Sequence, residues 1–432
     1  MRLSSIYNKL NIFLFLLLTL SGGGIFFVYF KKPAYLLLCA VSLLTLLLYK
    51  KPLKRVVFSA SIVTLIFTYI IILYNYLLAG PLPQEAIKYG FYLLNIMTCV
   101  LICIHIFNNI GIDKFLVYLR TVLRIILIIS LITFILGIVV GNSYLSNLPK
   151  WIIPSHTVQH FNYLFFYDLK HEYTFFGIDL VRNQGWFWEP GINQIYLNIL
   201  LFLEGFVFKQ KKKWIILLII FSIFTTFSTS GFIIMVVLIL SLYMDSIYQN
   251  IVRRNPLIVI LISASLIVSA YYIGKNIIIP NVLNKAVGNE ESSFQKRMFD
   301  LIQCPCIASD YPLSGVGLDL VAFREFRKGY TMKGSCRNAL EFVENITSFK
   351  LKPEFSDKGS TNSLTGMMAT MGFPVFFIFF YFLLNQTLFT ERKKLFLFII
   401  IISVFFEPVL FRPFFLIFII SGMISFFSRF TK

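Results

Sequence analysis

Runs of apolar residues long enough to cross a bilayer recur from one end of this 432-residue chain to the other. A helix rises about 1.5 Å per residue, so about 20 apolar residues bridge the roughly 30 Å hydrocarbon core. Such runs fall near 10–30, 34–49, 56–79, 89–108, 123–140, 191–208, 214–229, 230–247, 256–275, 364–388, 395–408 and 413–428. Hydrophobic residues make up 58% of the chain and charged residues only 14%, which excludes an ordinary soluble fold with about a quarter charged. Strands of a membrane barrel would be about ten residues long and alternating, and these runs do not alternate. The sequence therefore predicts an all-α polytopic membrane protein, a bundle of about 12 transmembrane helices.

Residues 1–24, "MRLSSIYNKLNIFLFLLLTLSGGG", have the basic start, apolar centre and small residues of a signal peptide. No A-x-A cleavage site follows, and the apolar run continues through "IFFVYF", so an uncleaved first helix is expected.

The net charge of +19 raises the question of nucleic acid, but placement answers it. Lys and Arg sit in short junctions between apolar runs, not in a basic stripe on a soluble fold, so no nucleic-acid partner is expected. With the N-terminus cytoplasmic, twenty basic residues fall in cytoplasmic junctions and four (Lys31, Lys32, Lys88, Arg412) in the short loops opposite. The positive-inside rule then places both termini in the cytoplasm, with Lys31–Lys32 as the local exception. The chain divides into helices 1–5 (1–140), a first long extracytoplasmic segment (141–190), helices 6–9 (191–275), a second, partly helical segment (276–363) and helices 10–12 (364–432). Long ordered loops are uncommon unless functional, so the active surface is expected on that outer face. "SSFQKRMFDLIQC" and "NALEFVENITSFK" there have helical apolar spacing. Of six cysteines, Cys39, Cys99 and Cys103 lie in apolar helices, whereas Cys304, Cys306 and Cys336 share the second outer segment. Pairing of Cys336 with either Cys304 or Cys306 is open.

Three stretches concentrate polar chemistry. In "RNQGWFWEPGINQIYLN" (182–198), Pro190 suits the first turn of a helix and Glu189 its positive dipole end. Gly191, Gln194 and Asn198 share one face of that helix and should look into the bundle interior or a wet cavity. Trp186 and Trp188 serve equally well as interfacial anchors. In the second stretch Lys296, Arg297 and Asp300 fall on one short helix, where Arg297 and Asp300 at i, i+3 could form a plain surface pair; "YPLSGVGLDL" follows with a Gly-rich turn. In the third, Ser360, Thr361, Asn362 and Ser363 lead into the tenth helix, where capping is the simple role. Gly366, Ala369 and Gly372 admit a close helix neighbour. "HTVQH" sets His156 and His160 at i, i+4, a metal pair only if helical and with no obvious third ligand. "HFNYLFFYDLKHEY" reads as an aromatic segment on the membrane surface or against sugar rings, and His105 as a buried polar contact.

In order and spacing these stretches resemble the Wzy-type O-antigen polymerase and O-antigen ligase superfamily, over roughly residues 180–375. "TFSTSGF" is similar to that family's turn, with Thr229 where Arg is usual. Ligases commonly carry His-Asn where this chain has Thr361–Asn362, so the resemblance favours the polymerase. It implies a GT-C-like glycosyltransferase of the bacterial inner membrane, active on the periplasmic face. The implied partners are polyprenyl-pyrophosphate-linked donor and acceptor oligosaccharides, membrane lipid and a chain-length regulator protein. Arginine grips phosphate bidentately and stays charged when desolvated, so Arg182 and Arg297 are the candidates for holding the diphosphate. An inverting attack by a sugar hydroxyl needs a general base, with Glu189 first choice and Asp300 in reserve. Trp186, Trp188, Gln194, Asn198, Lys296, Asp300, Thr361 and Asn362 are the expected substrate-binding residues. The scheme invokes no metal or cofactor. The alternatives are an O-antigen ligase acting on lipid A-core and, more remotely, a lipid-linked oligosaccharide flippase, for which the two related halves of a transporter are not seen. An acyltransferase would require a membrane-embedded histidine with a partner, and none is identified.

Overall fold

The computed structural model describes residues 2–49, 51–153, 156–169, 172–175, 178–210, 212–250, 291–347 and 359–431. The predicted run at 256–275 and parts of the second long segment lie outside them. Helices α1 (Arg2–Ser21), α2 (Ile25–Phe30), α3 (Lys32–Leu48), α4 (Arg55–Leu78), α5 (Ala86–Ile104), α6 (Ile112–Val140) and the short α7 (Asn142–Leu145) form the first half. After the first long segment come α8 (Pro190–Phe202), α9 (Lys213–Phe224) and α10 (Thr229–Asn250). The second half adds α11 (Glu291–Asp310), α12 (Leu320–Gly329), α13 (Ser335–Thr347), α14 (Ser363–Leu384), α15 (Lys393–Phe406) and α16 (Pro413–Phe427). Single π-helical turns extend α5 (His105–Ile110) and α8 (Leu203–Val207).

Two helices are buried on every side. From Ile192 to Phe202, α8 has no exposed residue and packs on α6, α9, α10 and α15; α16 is enclosed likewise by α1, α4, α5 and α14. Helices that are apolar all round belong in the centre of a bundle. Both begin with proline in the first turn, where the missing N–H costs nothing. The periphery presents leucines and isoleucines such as Leu47, Ile66, Ile70 and Leu77, as expected of surfaces that meet hydrocarbon.

The expectation of about twelve spans is corrected. Among the described residues, four helices are long and apolar enough to cross a membrane: Arg55–Leu78, Ala86–Ile110, Ile112–Val140 and Ser363–Leu384. Within the described residues the apolar runs do coincide with helices, but several are shorter, as with Lys32–Leu48, Lys213–Phe224 and Pro413–Phe427. The glycines at 22–24 end α1, and the turn at 407–412 separates α15 from α16. Hydropathy continues across such turns while the helix axis does not. The protein is an all-α, multi-pass membrane protein.

The first long segment departs from expectation by containing strands. β1 (Lys150–Ile153), β2 (His156–Phe161) and β3 (Phe165–Tyr167) form an antiparallel sheet in that order, and β4 (Glu172–Phe175) pairs with β5 (Ile178–Val181). In β2, Val158, Gln159 and His160 are all buried, so no polar–apolar alternation marks the strand. His156 and His160 therefore lie on a strand, and the helical spacing that would pair them on a metal does not apply. His105 is a buried polar contact, bonded to Asn11 and Asn109.

Residues 291–347 of the second segment are largely helical, and the Cys306–Cys336 disulfide joins α11 to α13, leaving Cys304 as a free thiol. Burial pushes the Cys304 thiol up to about 12. α14 breaks where Gly372 adopts φ 77°, a conformation only glycine tolerates comfortably. The break frees two carbonyls and an N–H of α14, which pair with the "YPLSGVGLDL" loop. Val316 N–H donates to Ala369 (2.9 Å), Gly317 N–H to Thr370 (3.0 Å), and Phe373 N–H to Pro312 (2.8 Å). Asn75 on α4 adds bonds to Ser314 and Thr370 carbonyls at 2.6 and 2.9 Å. Gly372 thus admits a loop backbone, not the neighbouring helix the sequence pattern implied.

Candidate active site

The N-termini of α8, α14 and α16 meet at one end of the bundle, against α2 and the two long segments. The "RNQGWFWE" stretch is threaded into this junction by its backbone. Ile25 N–H donates to Trp186 (2.8 Å) and Trp188 N–H to Gly23 (3.2 Å), pinning the stretch beside the glycines that end α1. The Arg182 guanidinium donates to the carbonyls of Thr226 and Phe227 at 3.1 and 3.2 Å, and Asn183 bonds Thr225. Arg182 therefore clamps the "TFSTSGF" turn, a role the sequence did not show.

Trp186 is half-buried and donates its indole N–H to Leu164 (2.8 Å). Trp188 is only 2% exposed, so it is not an interfacial anchor; the Arg412 guanidinium stands 5.2 Å over its ring. Glu189 is the half-buried N-cap of α8 and makes no side-chain cap bond. Gln194 and Asn198 face the bundle interior as expected. Asn198 donates to the Gln194 side chain (2.9 Å), and both lie against the start of α10 with no exposed surface. They shape the site from behind rather than line it.

Glu407, which the sequence did not single out, is a functional candidate. Its carboxylate lies against the first turn of α8, where any side chain at Gly191 would collide with it. It is 3% exposed and stands 3.6 Å from the Arg297 guanidinium, which also faces the Phe406 ring. An acidic residue directly before Pro408 in an otherwise apolar run was the available signal. Arg297, Glu407 and Glu189 thus collect around the α8 N-terminus, whose dipole favours negative charge.

Asp300 has a different environment from Arg297. Fully buried, it pairs with the equally buried Arg327 and accepts from Thr361 N–H (2.6 Å) and Oγ1 (2.7 Å). Arg327 also donates to Gln303 (2.6 Å) and to the Gly359 carbonyl. Asp300 and Thr361 are thereby joined in a knot that ties α11 and α12 to the start of α14. The expected Arg297–Asp300 surface pair does not form. Lys296 is half-buried on the same helix. Asn362 caps α14, accepting from Leu364 and Thr365 N–H at 2.9 and 3.1 Å.

A cavity of about 740 Å³ opens beside this junction, between α2–α3, α5, the Leu318–Phe323 stretch, α14 and the Pro408–Arg412 turn. Lys31, Lys32, Lys88 and Arg412 all line it. These are the four cations that topology placed in the short outer loops.

No protein-family model matches this chain, and no curated protein matches its sequence. The fold itself defines the class, a multi-pass α-helical membrane protein carrying a charged junction at one end of its bundle.

Proposed function

We propose that this protein is a polymerase of O-antigen or a related surface polysaccharide, in the bacterial inner membrane with its site facing the periplasm. It transfers glycan from a polyprenyl pyrophosphate to the acceptor sugar of another lipid-linked repeat unit. The observation that carries the proposal is the gathering of Glu189, Glu407 and Arg297 at the α8 N-terminus beside a cavity ringed by cations. An acceptor hydroxyl attacks the anomeric carbon as the bond from that carbon to the diphosphate oxygen breaks. The electron pair leaves with the lipid diphosphate, and the hydroxyl proton passes to a carboxylate. Glu189 is the proposed base. Glu407 holds Arg297 where its guanidinium can meet charge developing on the leaving group. Fixed cations in a partly desolvated site stabilise that charge without reorganisation and without calling on a metal, and the single displacement inverts the anomeric carbon.

Deletion of the gene followed by lipopolysaccharide gels tests the reading. A polymerase deletion leaves core capped by a single repeat unit, whereas loss of a ligase or flippase removes even that unit. An unchanged ladder overturns the proposal.

A further inference from the structure

We infer that the β2–β3 tip of the first long segment is an interfacial anchor, seated among the lipid headgroups of the leaflet on the site's side of the membrane. The partner is the bilayer surface itself, and no step of glycan transfer enters the reasoning. At the turn between β2 and β3, Tyr163 and Leu164 are exposed. The Tyr163 ring lies 5.5 Å from that of Trp151 on β1. Trp151 in turn stacks on Tyr29 at 4.3 Å and meets Phe30 at 6.1 Å. Tyr29 and Phe30, at the end of α2, are exposed as well. One aromatic surface thus runs from the hairpin across Trp151 to α2, and an exposed apolar surface of that kind marks an interaction site.

What covers this surface follows from where it lies. The chain leaves Phe30 through the exposed Lys31 and Lys32 straight into α3, whose Leu36, Leu37, Leu43, Leu44 and Leu47 are exposed as on a face that meets hydrocarbon. With 17 residues α3 rises about 25 Å. Its far end is fixed at the opposite end of the bundle, where the Tyr49 hydroxyl donates to the Asn109 carbonyl (2.6 Å). That rise nearly matches the roughly 30 Å hydrocarbon core, so Tyr29, Phe30 and Trp151 stand at headgroup level, continuous with the lipid-facing side of α3. Tyr and Trp flanked by Lys settle at that level, where an apolar ring is buried and its polar tip stays wet. A sugar-binding platform would instead need open ring faces. Here the faces are turned on one another: Tyr29 and Trp151 lie within 15° of parallel, and Tyr163 stacks on His160 at 4.3 Å. The anchor reaches the site through one bond, since the Leu164 carbonyl accepts the Trp186 indole N–H at 2.8 Å. The lipid surface thereby sets the depth of the "RNQGWFWE" stretch.

The test measures the depth of the tip. Full-length protein carrying Leu164→Cys in a Cys39→Ser background is labelled with the fluorophore NBD, with the buried cysteines and the disulfide left in place. It is reconstituted in nanodiscs of phosphatidylethanolamine and phosphatidylglycerol. A phospholipid bearing a nitroxide near its headgroup should quench the label at least about twofold more than one bearing it at the bilayer centre. Iodide in the water should quench it at least about twofold less than it quenches the free dye. Tyr163→Asp in the same protein should lift the tip and raise iodide quenching towards that of the free dye, whereas Tyr163→Trp should keep the label protected. A label that iodide quenches like the free dye and that neither nitroxide reaches overturns the anchor, and this result needs no aromatic variant to fold. Stronger quenching from the bilayer centre also overturns it, by placing the tip in the hydrocarbon core. So does a water-exposed label whose emission responds to oligosaccharide released by mild acid from the cell's surface polysaccharide, which assigns the surface to sugar. No readout depends on turnover, so failure here leaves the ladder test of the transferase standing.

Discussion

Replacing Arg327 by alanine should destabilise the protein severely, although Arg327 touches no proposed reacting group. Arg327 is 1% exposed and Asp300 not at all, and the two form a buried ion pair. Removing one member of such a pair leaves the other charge buried and uncompensated, which costs about 3–5 kcal/mol. The loss extends further here, because the bonds to Gln303 and the Gly359 carbonyl disappear with the guanidinium. Thr361 still donates twice to Asp300 and offsets part of the cost, so the low end of that range is the fair expectation. An internal comparison is available in Arg337–Glu341, a 3.0 Å pair with both side chains exposed, where an i, i+4 contact contributes only a few tenths of a kcal/mol. Thermal unfolding in detergent should therefore show a large fall for Arg327→Ala and almost none for Arg337→Ala. A companion pair, Asp300→Leu with Arg327→Met, should lose less than the two single changes added together, because neither buried charge is then left alone. If Arg327→Ala melts like Arg337→Ala, Asp300 is not tied into a structural knot and returns as a candidate base.

Other outcomes follow from the same geometry. Gly372→Ala should cost at least about 1–2 kcal/mol, since φ 77° is strained for alanine and its Cβ would meet the Pro312–Leu313 backbone; limited proteolysis should then cut the 311–320 loop faster. Cys336→Ser should cost about 2–4 kcal/mol by freeing a loop closed over a separation of 30 residues, read as a lower melting temperature that reductant no longer shifts. In the native protein at pH 7–8, maleimide should label neither Cys306 nor Cys336 until reduction, and Cys304 should stay unlabelled afterwards because burial keeps its thiol near 12 and so protonated. Raising the pH should not make Cys304 reactive until the segment unfolds, and early labelling of Cys304 would contradict its burial.

The helices were legible because apolar runs mark them directly; their lengths were not, because glycines at 22–24 and the 407–412 turn interrupt an axis without interrupting hydropathy. The strands of the first long segment were hidden, since β2 is buried at three successive positions and shows no alternation. Glu189 at the start of α8 and the cap formed by Asn362 were readable from local rules of helix termini. Partner choice was not. Nothing local says that Arg297 meets Glu407, 110 positions away, while Asp300 meets Arg327. Lys31 and Lys32 appeared in the sequence only as an exception to a topology rule, and the fold gives that exception a place in the cavity wall.

Reconstitution offers the most direct measurement of the central claim. The purified chain is placed in vesicles with lipid-linked repeat units extracted from a strain lacking it, and products are resolved on a gel. The expected result is a ladder of repeat multiples with release of polyprenyl diphosphate, abolished by Glu189→Gln at unchanged protein level. Repeat units that stay monomeric in the presence of well-folded protein would contradict the account.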